Sequence, residues 1–219
     1  VEILEAVRHT RKLKTGGLGG NRFSIVLREC RGDRDALMRR VEDIRARGVP
    51  NYFGEQRFGR DGDNVDHARA MFAGTASPHD RKLRGIYFSA ARSLLFNEVL
   101  ARRVADGTWD RLLDGEAVML DGRRSFFVAA VLDAELERRL AEGDIHPSGP
   151  LWGRGEVPAC GPARTLELAV TQEYEDIRQG LERAGLEQER RALRVIPRDF
   201  GAEWLNEAVL RLRFSLPAG

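Results

Sequence analysis

Gly48-Val49-Pro50-Asn51-Tyr52-Phe53-Gly54-Glu55-Gln56-Arg57-Phe58-Gly59 is the stretch on which the reading of this chain turns. Three glycines, a proline and three aromatic residues in twelve positions exclude a regular helix. Such a segment is a loop whose glycines let a backbone or a ligand approach closely. Its aromatics and Arg57 suit stacking on a nucleobase, and Asn51 suits the reading of a base edge. A structural turn with buried aromatics fits the same spacing.

Upstream, residues 33–47 predict an amphipathic helix with Leu37, Val41 and Ile44 inward and Gly48 as its stop. Residues 22–28 alternate, which predicts a half-buried strand carrying Phe23, Ile25 and Leu27 on one side. Before it, His9-Thr10-Arg11-Lys12-Leu13-Lys14-Thr15-Gly16-Gly17 reads as a basic, glycine-ended turn, suited to phosphate contact or simply an exposed hairpin loop. The chain opens without Met on the strand-like Val1-Glu2-Ile3-Leu4-Glu5, so the natural chain is expected to begin earlier.

Downstream, Asp63 or Asn64 starts a short helix through Phe72. Ser77-Pro78 is the expected N-cap and first position of a long helix reaching Val104, with Ile86, Ala90, Leu94 and Val99 buried. Asn97 on that helix lies amid apolar neighbours, so it is either hydrogen-bonded in the core or turned to a site. Residues 107–124 read as turns and strand, 133–141 as a short helix, 144–155 as a long irregular loop and 164–184 as helix. Residues 193–196 read as a short strand. Leu210, Leu212, Phe214 and Leu216 alternate against Arg211, Arg213 and Ser215, a second half-buried strand. Strands at the ends and helices in the middle predict an α+β fold with a helical insertion.

Composition narrows the chemistry. Hydrophobic residues at 42% and charged residues at 32% describe a core-forming chain, and no run approaches the roughly 18 apolar residues of a membrane span. Cys30 and Cys160 are far apart with no CxxC spacing, and His9, His67, His79 and His146 form no HxxxH pair, so no metal centre is expected. There is no GxSxG elbow. Lysine occurs only at Lys12, Lys14 and Lys82, so nearly all of the 36 basic residues are arginine. Arginine suits an RNA partner through bidentate phosphate contact and base stacking, although a GC-rich genome writes the same bias.

The loop at 48–59 resembles the GxPNYFGxQRFG signature of the TruD family of tRNA pseudouridine synthases. Other pieces fall in family order around it. Gly20-Asn21-Arg22-Phe23 resembles the family's strand entry, and Ser89-Ala90-Ala91-Arg92-Ser93-Leu94-Leu95-Phe96-Asn97 resembles its SAxRSxxFN helix. His146-Pro147-Ser148-Gly149-Pro150-Leu151-Trp152-Gly153 resembles the HPTGPLWG loop, and Phe214-Ser215-Leu216-Pro217-Ala218-Gly219 the closing FSLPAG. The resemblance covers essentially the whole chain.

It implies a pseudouridine synthase catalytic domain with a mixed, largely antiparallel sheet, at residues 1–76 and 201–219, interrupted by a TruD-type insertion domain at 77–200. It implies isomerisation of a D-arm uridine (position 13) of tRNA, with tRNA as partner, no metal or organic cofactor, no membrane, a cytoplasmic location and a monomer. Asn51 corresponds to the base-contacting asparagine and Phe53 to a lining of the uracil pocket. Arg57 is left between phosphate contact and an internal salt bridge, and His146 is expected to order its own loop. The family's nucleophilic Asp lies in a GxKDxxA-like motif, which does not occur here and is expected upstream of Val1; the segment alone is therefore expected to be inactive. Asp80 takes a helix-N-terminal role instead. The alternative is a non-catalytic RNA-binding fragment or a degenerate copy.

Overall fold

The computed structural model describes residues 19–217 together with Arg8, Thr10 and Lys12. The expected opening strand, most of the basic turn at 9–17 and the last two residues lie outside the described residues.

The chain runs β1 (Gly20–Leu27), α1 (Arg34–Arg47), β2 (Val49–Pro50), a 3-10 turn (Glu55–Phe58), α2 (Asn64–Phe72) and α3 (Arg81–Ala105). It continues through β3 (Glu116–Leu120), β4 (Phe126–Ala129), α4 (Ala134–Ala141), β5 (Ile145–His146) and β6 (Ser148–Leu151). Then follow α5 (Gly161–Gln172), α6 (Glu175–Arg183), β7 (Glu189–Ala192), β8 (Arg194–Val195), β9 (Arg198–Asn206) and β10 (Val209–Pro217). The class is α+β, and every paired strand runs antiparallel to its neighbour.

The fold packs as two compact units, Val1–Glu42 with Pro197–Gly219, and Asp43–Ile196. Among the described residues, the stretches before Asp43 and after Ile196 thus share one unit and the middle forms the other. Residues 43–76, placed by sequence with the ends, pack with the middle.

The first unit is a three-stranded sheet in the order β1-β10-β9. Phe23 faces Phe214 across the β1–β10 ladder with rings stacked at 5.2 Å, and Phe200 adds a third ring 5.9 Å from Phe214. Arg34 opens α1 against this sheet, its guanidinium 4.4 Å from the Trp204 ring centre and its Nη2 donating to the Asn206 carbonyl. The expected half-burial of β1 holds at Phe23 but not at Ile25 or Leu27, each 41% exposed. Among the described residues β1 pairs on one side only, and the sheet's buried side chains are Phe200 and Leu210 on the other strands.

The second unit is built around α3. Its 25 residues bury Tyr87, Ala90, Ala91, Leu95, Phe96, Val99 and Leu100. Small residues at 90 and 91 let neighbouring elements come close, and Ala68 of α2, Ala163 of α5, and Ile177 and Leu181 of α6 fill that core. Ile86, expected inside, is 49% exposed, because the apolar stripe passes through Tyr87, Ala91 and Leu95 one position on. The helix also starts later than Ser77-Pro78 implied. Asp80 is the N-cap, its carboxylate accepting from the Lys82 N–H at 2.7 Å, which is the helix-terminal role expected of it.

Two further corrections concern length. The helix expected over 164–184 is two, α5 and α6, interrupted at Glu173 and Tyr174. The stretch 144–155, expected to be irregular, contains β5 and β6. Ser148–Leu151 pairs with Glu189–Ala192, partners about forty residues on that no local pattern announces.

A buried charged network ties this region together. The Arg190 guanidinium grips the Glu167 carboxylate in a two-bond fork, at 2.8 and 2.6 Å, and also donates to the Ser148 hydroxyl and carbonyl. Arg103 meets Glu116 at 2.9 Å, and all four charged side chains are essentially inaccessible. Burial pushes the Glu116 carboxyl upward, opposed by Arg103.

Candidate nucleic-acid site around Asn51 and Phe53

The loop begins at the end of α1. Gly48 takes φ +79, the left-handed geometry that ends a helix, and its N–H closes onto the Ile44 carbonyl at 2.9 Å. A side chain there would press on the Val195 carbonyl, so only glycine lets β2 pair with β8 at this register. Pro50 faces Arg194, and the Asn51 N–H then donates to the Leu193 carbonyl at 2.8 Å.

The Asn51 side chain is fixed from both ends. Its Nδ2 donates to the Ala192 carbonyl at 2.9 Å, and its Oδ1 accepts from Arg191 Nη2 at 2.8 Å. One amide hydrogen and one oxygen lone pair remain, a donor and an acceptor on one side chain. Tyr52 is 41% exposed. Phe53 is half-buried, edge-on to Phe96 at 5.5 Å, and belongs to a small core of Phe96, Leu100 and Leu193.

Arg57 stands on the exposed 3-10 turn. Its Cζ lies 5.1 Å from the Phe53 ring centre and its Nη1 donates to the Ser89 hydroxyl at 2.9 Å. Asn64 Nδ2 caps the turn on the Arg57 carbonyl. Of the two roles left open for Arg57, the internal salt bridge is not made among the described residues. Arg191 lies on the same ring, its Cζ 4.1 Å from the Phe53 centre. Burial first, and then the charge of Arg57, hold the Arg191 guanidinium below its ordinary range.

Comparison with known proteins identifies the family. The family model described as tRNA pseudouridine synthase D (TruD) matches residues 1–68 and 63–219. The chain belongs to the TruD family. It is 49% identical over 222 residues to the tRNA pseudouridine synthase D of Nitrosococcus oceani, covering all of this chain and 62% of that protein. It is 47% identical over 219 residues to the tRNA pseudouridine synthase D of Hydrogenovibrio crunogenus, covering all of this chain and 63% of that one. The chain thus spans less than two thirds of the length of these curated relatives. A crystal structure of a putative tRNA pseudouridine synthase D from Methanosarcina mazei superposes with a TM-score of 0.64 at 20% identity, over 93% of this chain and 67% of that chain; it shares the fold.

The stretch 89–97 on α3 supports the loop in space. In the helix motif on α3, Ser89 receives Arg57, Phe96 lies under Phe53, and Asn97 bonds the Phe53 backbone twice. Arg92 Nη2 donates to the Leu151 and Glu187 carbonyls at 2.6 and 2.8 Å, fastening β6 and the approach to β7. In the 146–153 motif, His146 Nδ1 accepts from Arg194 Nε at 3.0 Å, so its Nε2 carries the proton toward Asp121 Oδ1 at 3.1 Å. Trp152 Nε1 donates to Glu182, with the Arg178 guanidinium 4.3 Å from its ring centre.

The sequence brought Asn51, Phe53 and Arg57 forward as one group; Arg191 links them, bonded to Asn51 and lying with Arg57 at the Phe53 ring. Arg191 was missed. Its only sequence signal is a place in Glu189-Arg190-Arg191-Ala192, where Arg190 turns inward to Glu167 and Arg191 turns the other way. No helix among the described residues is long and apolar enough to cross a membrane, and no group of three or more His, Cys, Asp or Glu among them could hold a metal ion.

Proposed function

We propose that this chain carries the base-recognition part of a tRNA pseudouridine synthase that isomerises a D-arm uridine, position 13, acting as a monomer in the cytoplasm. The observation that carries the reading is the pairing of Asn51 with Phe53. A fixed amide, with one donor and one acceptor to spare, stands two residues from an aromatic ring held by its own backbone. Uracil offers an imide edge of alternating acceptors and a donor, together with a π face. Asn51 suits the edge and Phe53 the face, once the nucleotide has left its stack.

In the reaction the N1–C1′ bond breaks, the base turns, a C5–C1′ bond forms, N1 gains a proton and the C5 proton leaves to solvent. The part of this chain is to receive and orient the base, and we assign the nucleophilic carboxylate to none of its residues. Asp80 is spent as the α3 cap. We place a catalytic domain, interrupted by an insertion, at 1–76 with 201–219 and the insertion at 77–200, whereas the compact units divide after Glu42 and before Pro197.

The test has two readings. Tritium release from tRNA labelled at uridine C5, by the gene product, should be lost in Asn51→Ala and Phe53→Ala. A D-arm RNA should bind this chain, with Phe53→Ala weakening it about tenfold, the range of a lost base–aromatic stack at about 1–3 kcal/mol. Equal binding by the wild type and both variants would remove the site from this loop.

A further inference from the structure

Two guanidinium groups share the Phe53 ring with no carboxylate between them. Three other arginines of this unit are matched to acids: Arg103 to Glu116 at 2.9 Å, Arg190 to Glu167 at 2.6 Å and Arg47 to Asp110 at 2.6 Å. Arg57 and Arg191 form no ion pair among the described residues; one is bonded to a hydroxyl and the other to an amide oxygen. Like charges brought this close repel, and the repulsion is relieved when one anion meets both.

The free valences define what fits. Arg191 Nη2 is committed to Asn51, and its Nε is buried without a partner, which leaves Nη1 for a ligand. Arg57 is exposed and uses only Nη1, on Ser89, so its remaining nitrogens face no competitor among the described residues. The site therefore offers two separate cationic contacts beside an aromatic floor. A phosphodiester presents one negative charge on two non-bridging oxygens, one for each guanidinium.

We propose that Arg57 and Arg191 clamp a single backbone phosphate of the RNA, one flanking the nucleotide whose base meets Asn51 and Phe53. This rests on the RNA-binding reading above. Arg191 touches the phosphate, the Phe53 ring and the Asn51 amide, so it joins backbone grip to base reading. Arg57, on the turn, is the outer arm of the clamp.

The experiment uses this chain and D-arm stem-loop RNAs in which one linkage, 5′ or 3′ of the target uridine, is an uncharged methylphosphonate. One of the two neutral RNAs should bind at least tenfold more weakly than the unmodified RNA. Arg57→Gln and Arg191→Gln should each weaken the unmodified RNA and shrink the difference between neutral and charged RNA, and the double variant should erase it. Each should also lower the slope of log affinity against log salt by about one. Arg191→Lys keeps the charge without the planar fork and should retain part of the difference, which separates loss of the contact from loss of the fold. If the unmodified RNA binds and neither methylphosphonate matters, the clamp is overturned and the RNA reading stands. If no D-arm RNA binds at all, both fall.

Discussion

Asn97 and Phe53 are joined by a closed pair of hydrogen bonds: the Phe53 N–H donates to Asn97 Oδ1 and Asn97 Nδ2 donates to the Phe53 carbonyl, both at 2.9 Å. An asparagine side chain here takes the place of a neighbouring strand, satisfying one residue's backbone in both directions. It does so from α3, the most deeply buried helix of its unit, which sets the Phe53 ring relative to the core.

Removing it strands two half-buried backbone groups. Asn97→Ala is expected to lower unfolding free energy by about 2 kcal/mol, the cost of leaving such groups unpaired. Asn97→Asp keeps the acceptor for the Phe53 N–H but turns a carboxylate oxygen toward the Phe53 carbonyl, and should be no better than alanine at neutral pH. Urea midpoints decide this; an aspartate variant as stable as the wild type would mean that the carbonyl bond contributes nothing.

The Arg190–Glu167 pair sits at 0% and 3% side-chain exposure. Glu167→Gln leaves a buried guanidinium facing a neutral partner and should cost about 3–5 kcal/mol, as broken buried pairs do. Replacing both, as Arg190→Met with Glu167→Leu, should cost clearly less than the sum of the single changes, because no charge is then left unpaired. Denaturation of the three variants supplies the comparison, and simple additivity would refute it.

His146 makes stability depend on pH. Burial holds its imidazole below its ordinary range near 6.5, helped by Arg194 and opposed by Asp121 and Asp144. With its folded pKa depressed, the unfolded chain takes up the proton first. The contribution of His146 is therefore complete above the unfolded value and is lost as pH falls below 6.5 toward the folded one. Urea midpoints between pH 5 and 8 should show this slope, and His146→Gln should flatten it.

At the start of α3, Asp80→Ala should cost about 1 kcal/mol, the usual loss of an N-cap. Ser77→Ala should change stability by less than about 0.5 kcal/mol, since Ser77 lies three residues outside the cap. Thermal melts of both variants assign the cap.

How far the sequence could be read depended on how local the information was. α1, α2 and α4 show their periodicity and caps within a dozen residues, and their ends fell within a residue or two of expectation. β9 was missed because its burial follows no alternation along Arg198–Asn206, and β6 because its partner lies far along the chain. The same limit applies to the site. Asn51, Phe53 and Arg57 share one loop and could be named together, whereas Arg191 enters from a strand 140 positions from Asn51. Asn97 was visible as a polar residue in an apolar surface. The hydrogen-bonded reading is the one the structure shows, and its partner is Phe53, 44 positions upstream.

The attachment of Asn51 to the Ala192 carbonyl, across 141 positions, has a bearing on how the protein is made. A ribosome delivers the loop early and its anchor strand late. Until about 140 further residues have emerged, Asn51 has neither the carbonyl that holds its amide nor the arginine that holds its oxygen. The loop leaves the exit tunnel as an unsupported glycine- and aromatic-rich segment, and long-range closures of this kind are the slow steps of folding. The nascent chain therefore cannot grip RNA in the proposed manner until synthesis has passed Val195 and the scaffold beneath the loop is complete.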